Sequence, residues 1–285
     1  MTDRWTKMVG RCAAVPGVWL AAWLVIAPTP AGAQSAGAAQ TPVAKEPAYE
    51  PQEGQEGKDV VWVPTPEALV QAMLDIAKVT AADRVIDLGS GDGRTVIAAA
   101  KRGATAHGIE YNPEMVALAQ RNAAAAGVAA RATFEKADLF ESDLSKATVI
   151  TMFLLPSINL ELRPKLLELQ PGIRIVSNTF TMEAWEPDSK QTVEDDCMSW
   201  CTALLWIVPA KVAGTWAAAD STLTLTQEFQ MVSGTLGDAA VVDGRLRGDQ
   251  LSFRVGETTY TARVSGATME GTAGGRPFRA SRTAP

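Results

Sequence analysis

The run Val85-Ile86-Asp87-Leu88-Gly89-Ser90-Gly91-Asp92-Gly93 leaves this chain few ways to fold: an apolar strand passes through a carboxylate into three alternating glycines. Glycines at such spacing remove Cβ atoms and admit positive φ, so the backbone turns sharply at the strand end and comes within contact distance of a ligand. The pattern predicts an α/β sheet with a small-molecule site outside the carboxyl end of this strand. A dinucleotide fingerprint would need its third glycine at position 94, which holds Arg94. Asp92 is a poor neighbour for a pyrophosphate, whereas a cationic ligand tolerates it.

The unit then repeats. Thr105-Ala106-His107-Gly108-Ile109-Glu110 is a second apolar strand ending in a carboxylate, far enough on for one crossover helix, and Phe134–Phe140 brings a third acid, Asp138. Further strands are expected at Thr148–Phe153 and Arg174–Phe180, with a last, antiparallel one at Cys201–Val208. Helices are expected from Gly93 to about Arg102 and from Pro113 to Gly127. An earlier helix begins with Thr65 as N-cap and Pro66 at its first position, carrying Ala68, Leu69, Ala72, Met73 and Ile76 on one face.

These motifs resemble class I (seven-β-strand) S-adenosylmethionine-dependent methyltransferases, and among them the protein-lysine methyltransferases related to the ATP-synthase c-subunit lysine methyltransferase. The resemblance covers roughly residues 60–208. It rests on Val63-Pro64-Thr65-Pro66, Asp87-Leu88-Gly89-Ser90-Gly91-Asp92-Gly93-Arg94, Gly108-Ile109-Glu110, Asp138-Leu139-Phe140 and Leu162-Arg163-Pro164-Lys165-Leu166. It implies a Rossmann-like doubly wound sheet and S-adenosylmethionine as cofactor. Its binding set would be Thr65 at the methionine carboxylate and Asp87, Gly89, Ser90, Gly91 and Gly93 in the loop. Glu110 would accept the ribose hydroxyls with Tyr111 beside it, and Asp138 the adenine amino group with Leu139 on the ring.

On the acceptor side, the fourth strand ends Met152-Phe153-Leu154-Leu155-Pro156, without the Asn/Asp-Pro-Pro-Tyr/Phe clamp of enzymes that methylate nucleobases or glutamine. An apolar rim remains: Phe153, Leu155, Phe180 and Trp185, beside Asn178 and Thr179. Such a rim suits transfer to a protein lysine, since desolvation lowers an amine pKa from ~10.4 and a neutral amine needs no dedicated base. None of these side chains stands out as a catalytic base. Two alternatives stand beside it: a small-molecule methyltransferase, and a non-catalytic cofactor- or partner-binding protein that recognises through a β domain.

Other chemistries lack their residues. The one histidine, His107, falls within a strand, as a packed or rim residue. Cys197-x-x-x-Cys201 is a single pair, so no metal site is expected. That pair can bond if its segment turns, but not along an extended strand. A net charge of −6 without a basic stripe argues against nucleic acid as a partner.

The remaining segments set the organisation. Residues 1–33 read as a secretory signal peptide: Arg4, Lys7 and Arg11, then an uncharged run from Cys12 to Ala27, then Ala31-Gly32-Ala33. The expectation is an exported, periplasmic protein with no stable membrane span after cleavage, or a membrane-anchored one if uncleaved. Residues 34–58, rich in Pro, Gly, Ala, Gln and Glu, read as a flexible linker. The methyltransferase domain is expected over 59–208. Residues 209–285 alternate in short runs between Gly and Asp turns, as a small antiparallel β meander or barrel. Gly214-x-Trp216 resembles the opening of lipocalin-type barrels. A docking or lid role is expected there ahead of ligand binding.

Overall fold

Central strands of a parallel sheet are covered on both faces and need continuous apolar runs. The computed structural model, which describes residues 49–283, is built on such runs. The signal peptide expected at 1–33 and most of the linker expected over 34–58 lie outside the described residues. Along the chain come α1 (Glu67–Ile76), β1 (Arg84–Leu88), α2 (Arg94–Lys101), β2 (Thr105–Glu110), α3 (Pro113–Ala125), β3 (Ala132–Lys136) and β4 (Val149–Met152). Then follow α4 (Pro156–Leu167), β5 (Arg174–Asn178), β6 (Ser189–Thr192) and β7 (Thr202–Ile207). They form one seven-stranded sheet in the order β3-β2-β1-β4-β5-β7-β6, with β7 antiparallel to β5 and β6. The order reverses between β1 and β4, and in doubly wound sheets that is where ligands sit. α1, α2 and α3 bury Leu69, Met73, Val96 and Ala119 in one core, while α4 places Ile158, Leu162 and Leu166 in the other.

The expected elements are present, with ends a residue or two shorter. The edge strand β6 was not expected: Ser-Lys-Gln-Thr carries no apolar signal, and only its pairing with β7 makes it a strand. The N-cap expectation is corrected. Pro66 occupies that position without a side-chain cap, and Thr65 Oγ1 instead accepts from Asn178 Nδ2 at 3.4 Å. Cys197 and Cys201 are bonded, because the chain turns between β6 and β7 rather than extending through Cys201.

The rest of the described chain is β8 (Gly214–Ala218), β9 (Ser221–Glu228), β10 (Met231–Leu236), β11 (Ala239–Arg247), β12 (Gln250–Val255), β13 (Thr258–Ser265), β14 (Thr268–Ala273) and β15 (Arg276–Arg282). These strands close into an eight-stranded antiparallel barrel, the last pairing with the first through Ser281–Ala217 and Arg282–Trp216. Burial alternates along β9, β12 and β15, as a filled barrel requires. Trp216, Leu223, Leu246, Phe253 and Met269 fill the interior. Gly234 lets β10 pass close to β9, since a Cβ there would lie 1.9 Å from Thr224 O. Arg282 lies over the Trp216 ring at 4.3 Å, bracing the seam where the barrel closes.

Barrel and sheet share an interface. The β9–β10 turn inserts Phe229 against the α4-side core, Gln230 Nε2 donates to Glu186 O at 2.7 Å, and Arg245 pairs with the buried side chain of Asp188 at 2.8 Å. Between β7 and β8, Val208, Ala210 and Val212 are buried, and Ala210 N donates to Gly248 O.

Candidate functional site

The glycine loop follows from the strand before it. β1 is buried and flanked by β2 and β4, so the chain leaving Leu88 must turn at once to start α2, and it does so with Gly89, Gly91 and Gly93 all at positive φ. The loop floors a cavity of about 1060 Å³, open mouth included, at the carboxyl ends of β1, β2 and β4. Of the expected cofactor residues, Thr65, Asp87, Gly89, Ser90, Gly91, Glu110, Tyr111, Asp138 and Leu139 line it. Gly93 does not: a Cβ there would meet Phe134 at 2.7 Å and Ala119 at 2.9 Å, so its smallness serves helix–sheet packing.

The three strand-end carboxylates are held differently. Asp87 is buried and accepts from Thr151 Oγ1 at 2.6 Å. Burial lifts its carboxyl to about 7, the Thr151 hydroxyl opposing and the charges of Asp92 and Glu110 adding to the rise. Glu110 accepts from Gly91 N at 3.0 Å and from Asn112 N at 2.8 Å, tying the second strand end to the loop. Asp138 accepts from Phe140 N at 2.9 Å and pairs with Lys58 at 2.6 Å. Its carboxyl is held below the ordinary range, first by the Lys58 hydrogen bond and then by the Phe140 N–H. Asp92, expected to tolerate a cationic ligand, is already paired with a two-pronged Arg94, which also donates to Thr65 O.

Several of these contacts carry no clear sequence signal. Residues 55–65 form a strap over the cavity, so the end of the expected linker is part of the site. Paired backbone bonds between Gly54 and Trp62 and between Gln55 and Trp62 close it into a tight loop. Trp62 lies over the glycine loop: a Cβ on Gly91 would come 2.7 Å from its Nε1. Lys58 bridges Asp138 and the face of Tyr111, 5.0 Å from the ring centre. A tryptophan just before the Val63-Pro64-Thr65-Pro66 motif was the available clue to the strap; nothing in the sequence pointed to Lys58.

The expected acceptor rim separates into parts. Phe153 lines the cavity, stacks on Phe180 with centres 5.9 Å apart, and lies 5.9 Å from Trp200. Leu155 is outside the cavity lining, 41% exposed at the start of α4. Asn178 is fully buried behind Thr65 and does not line the cavity. Trp185 is a core residue, packed between Trp206 and Phe229. An indole beside a strand end reads as rim or core alike in sequence; here the barrel covers it. Trp200, which the sequence did not single out, packs on Phe153 outside the cavity lining, where Leu155 and Trp185 had been expected. His107 lies half-buried within β2, away from the cavity lining, with Nδ1 on Thr133 Oγ1 at 2.9 Å.

Among the described residues, no group of three or more potential metal ligands converges, and no helix is long and apolar enough to cross a membrane. S-adenosylmethionine fits what is present. The cavity combines bare backbone at Gly89 and Gly91, where a Cβ would crowd Leu154 and Trp62, with carboxylates suited to a cationic, hydroxyl- and amino-bearing ligand.

Residues 87–189 match the ANTKMT methyltransferase domain family. A protein-lysine N-methyltransferase of Saccharolobus islandicus is 47% identical over 152 residues, 52% of this chain and 94% of that protein. The ATP-synthase c-subunit lysine N-methyltransferase of Homo sapiens is 40% identical over 105 residues, 36% of this chain, and the adenine nucleotide translocase lysine N-methyltransferase of Mus musculus 41% over 106. The chain spans less than half of those two mammalian proteins, 45% and 46% respectively. Among solved structures, an RNA methyltransferase from Salinibacter ruber in complex with S-adenosyl-L-homocysteine shares 47% identity, with 53% of this chain and 96% of that one covered and a TM-score of 0.49.

Proposed function

Since the chain belongs to the class I, S-adenosylmethionine-dependent protein-lysine methyltransferases, we propose that it methylates a lysine side chain of a protein met outside the cytoplasm. The observation that carries the acceptor reading is the aromatic wall that meets the cavity at Phe153. Phe153 lines the cavity and packs against Phe180 and Trp200 outside the lining, with no histidine or cysteine thiol among them. A wall of this kind favours an uncharged amine and asks for no proton acceptor fixed in the protein.

The bound cofactor would supply an electrophilic methyl group, whose carbon–sulfur bond breaks as the amine nitrogen forms its new bond, leaving a neutral thioether. The residues of this chain hold and orient. Thr65 and Asp87 would bind the amino-acid end, Glu110 the ribose, and Asp138 and Leu139 the adenine. Phe153 and Trp62 exclude water from the space between cofactor and acceptor, and the lysine nitrogen releases its proton to solvent at the mouth. The disulfide supports work outside the cytoplasm, since such bonds persist in oxidising compartments. Residues 209–285 would then act as a separate β domain in sequence, docked on the sheet.

The test is incubation of purified protein, with isotopically labelled S-adenosylmethionine, against secreted and envelope proteins, followed by peptide mass spectrometry. Label on lysine side chains is the expected outcome. Label confined to small metabolites or to nucleic acid would replace this acceptor, and cofactor binding without any transfer would make the protein a non-catalytic binder.

A further inference from the structure

The segment between β6 and β7 is short, covalently closed and chemically one-sided. It reads Glu194-Asp195-Asp196-Cys197-Met198-Ser199-Trp200-Cys201, with three carboxylates and no cation. The disulfide holds the Cys197 and Cys201 Cα atoms 5.7 Å apart, where four extended residues would span ~13 Å. Asp196 and Trp200 both adopt positive φ, at 56° and 55°, a conformation that non-glycine residues keep only when their surroundings enforce it. The consequence is positional. Trp200 is folded back to 5.9 Å from Phe153, which lines the cofactor cavity, while Glu194, Asp195 and Asp196 face solvent. Among the described residues none of these three carboxylates has an ion-pair partner. Met198 is fully exposed on the same loop.

The opposite side of the wall is fixed with equal care. Asn159 Nδ2 donates to Phe180 O at 3.1 Å and to Thr181 O at 3.3 Å, Ser177 Oγ donates to Phe180 O at 2.8 Å, and Thr179 N donates to Thr202 O. Phe180 and Trp200 thus pack on either side of Phe153, which lines the cavity, and an unpaired acidic loop adjoins Trp200.

We propose that this aromatic cluster and loop are the acceptor entrance, and that the acceptor is a basic protein segment. The target lysine runs its methylene stem along Phe153, Phe180 and Trp200, and neighbouring arginines or lysines are held by Glu194, Asp195 and Asp196. This rests on the lysine-transfer reading above. Charge complementarity selects the partner: three clustered carboxylates attract a polybasic segment and repel an acidic one, while the aromatic faces pack along the apolar stem of the lysine. The disulfide is a positioning element that keeps the acidic edge and Trp200 on one side of the cavity mouth.

Binding by fluorescence anisotropy, on the full chain saturated with S-adenosylhomocysteine, tests the assignment. The probes are two labelled peptides sharing one lysine, flanked by arginines in one and by glutamates in the other. The wild-type protein should prefer the basic peptide by about tenfold, a few exposed ion pairs' worth, and lose the preference in high salt. The Glu194→Gln, Asp195→Asn, Asp196→Asn triple variant should abolish the preference. Trp200→Ala should weaken both peptides by about threefold, the scale of a lost apolar contact with the lysine stem. The Cys197→Ser, Cys201→Ser double variant should weaken the basic peptide while S-adenosylhomocysteine affinity stays constant. A wild-type protein without preference, or a triple variant that keeps it, overturns the entrance. Mass spectrometry of the same peptides after incubation with cofactor separates the two readings: preferential binding without methylation removes lysine transfer and leaves the basic-peptide surface, whereas methylation without preference does the reverse.

Discussion

The ring of Phe229 stacks on the indole of Trp185, with centres 6.1 Å apart and planes 12° from parallel. One residue belongs to the barrel and the other to the loop after β5, and Trp206 closes the stack from β7 at 6.3 Å. Phe229→Ala should therefore destabilise the whole described fold, by about 2–4 kcal/mol given its partial burial. Thermal unfolding should show one transition moving down as a unit; two separated transitions would mean that sheet and barrel unfold independently. A chain ending at Ala210 should be less stable for the same reason. At matched folded fraction it should still bind cofactor, because every cavity-lining residue precedes Asn159.

Asp87 carries the pH dependence. Its folded carboxyl is raised to about 7, chiefly by burial, so the native state keeps a proton that the unfolded chain has released. The stabilisation is fully present below the unfolded value of about 4 and is lost as pH rises through about 7, at about 1.4 kcal/mol for each pH step separating the two values. Urea titrations at about pH 5 and about pH 8 should show the cofactor-free protein weaker at the higher pH, and Asp87→Asn should flatten the difference. Affinity for the cationic cofactor should move the other way, rising with pH over that window. A wild-type protein whose stability rises between those pH values would contradict the assignment.

Glu110→Ala should weaken S-adenosylmethionine binding by about 1–3 kcal/mol, the loss expected for hydrogen bonds to a charged group. The same change frees Gly91 N and Asn112 N, so the loop itself loosens. Calorimetry with an intact circular dichroism spectrum decides it, unchanged affinity counting against the ribose assignment.

Lys58 fastens the strap to Asp138 and to Tyr111. Lys58→Ala should speed cofactor exchange in stopped-flow displacement, while equilibrium affinity changes by less than about tenfold, since an exposed pair contributes little. Equal exchange rates in both proteins would show that the strap does not gate the cavity.

What was legible in the sequence was what local chemistry determines. The apolar runs Val85–Leu88 and Val149–Met152, and the glycines that follow the first of them, announce buried parallel strands and a turn whatever surrounds them. Contacts distant in sequence were hidden. The closure of the barrel depends on Arg282 meeting Trp216, and β6 exists only against β7. The strap has the composition of a linker, Pro, Gly and Glu, and folds because its backbone pairs with Trp62 across a turn. Trp185 and Trp200 shared one ambiguity: an indole suits rim and core, and only the insertion of Phe229 beside the first, and the disulfide beside the second, assigns them.

The join at Val208–Val212 bears on how such a protein could be taken apart. Its apolar residues are buried, Gln227 accepts from Val212 N and donates to Ala210 O, and Gly248 lies against Gly172. The barrel is thus no interchangeable cassette. Moving it onto another methyltransferase would require carrying along the matching surface around Gly172, Trp185 and Asp188, and those positions would have had to change together with the barrel in any lineage that acquired it.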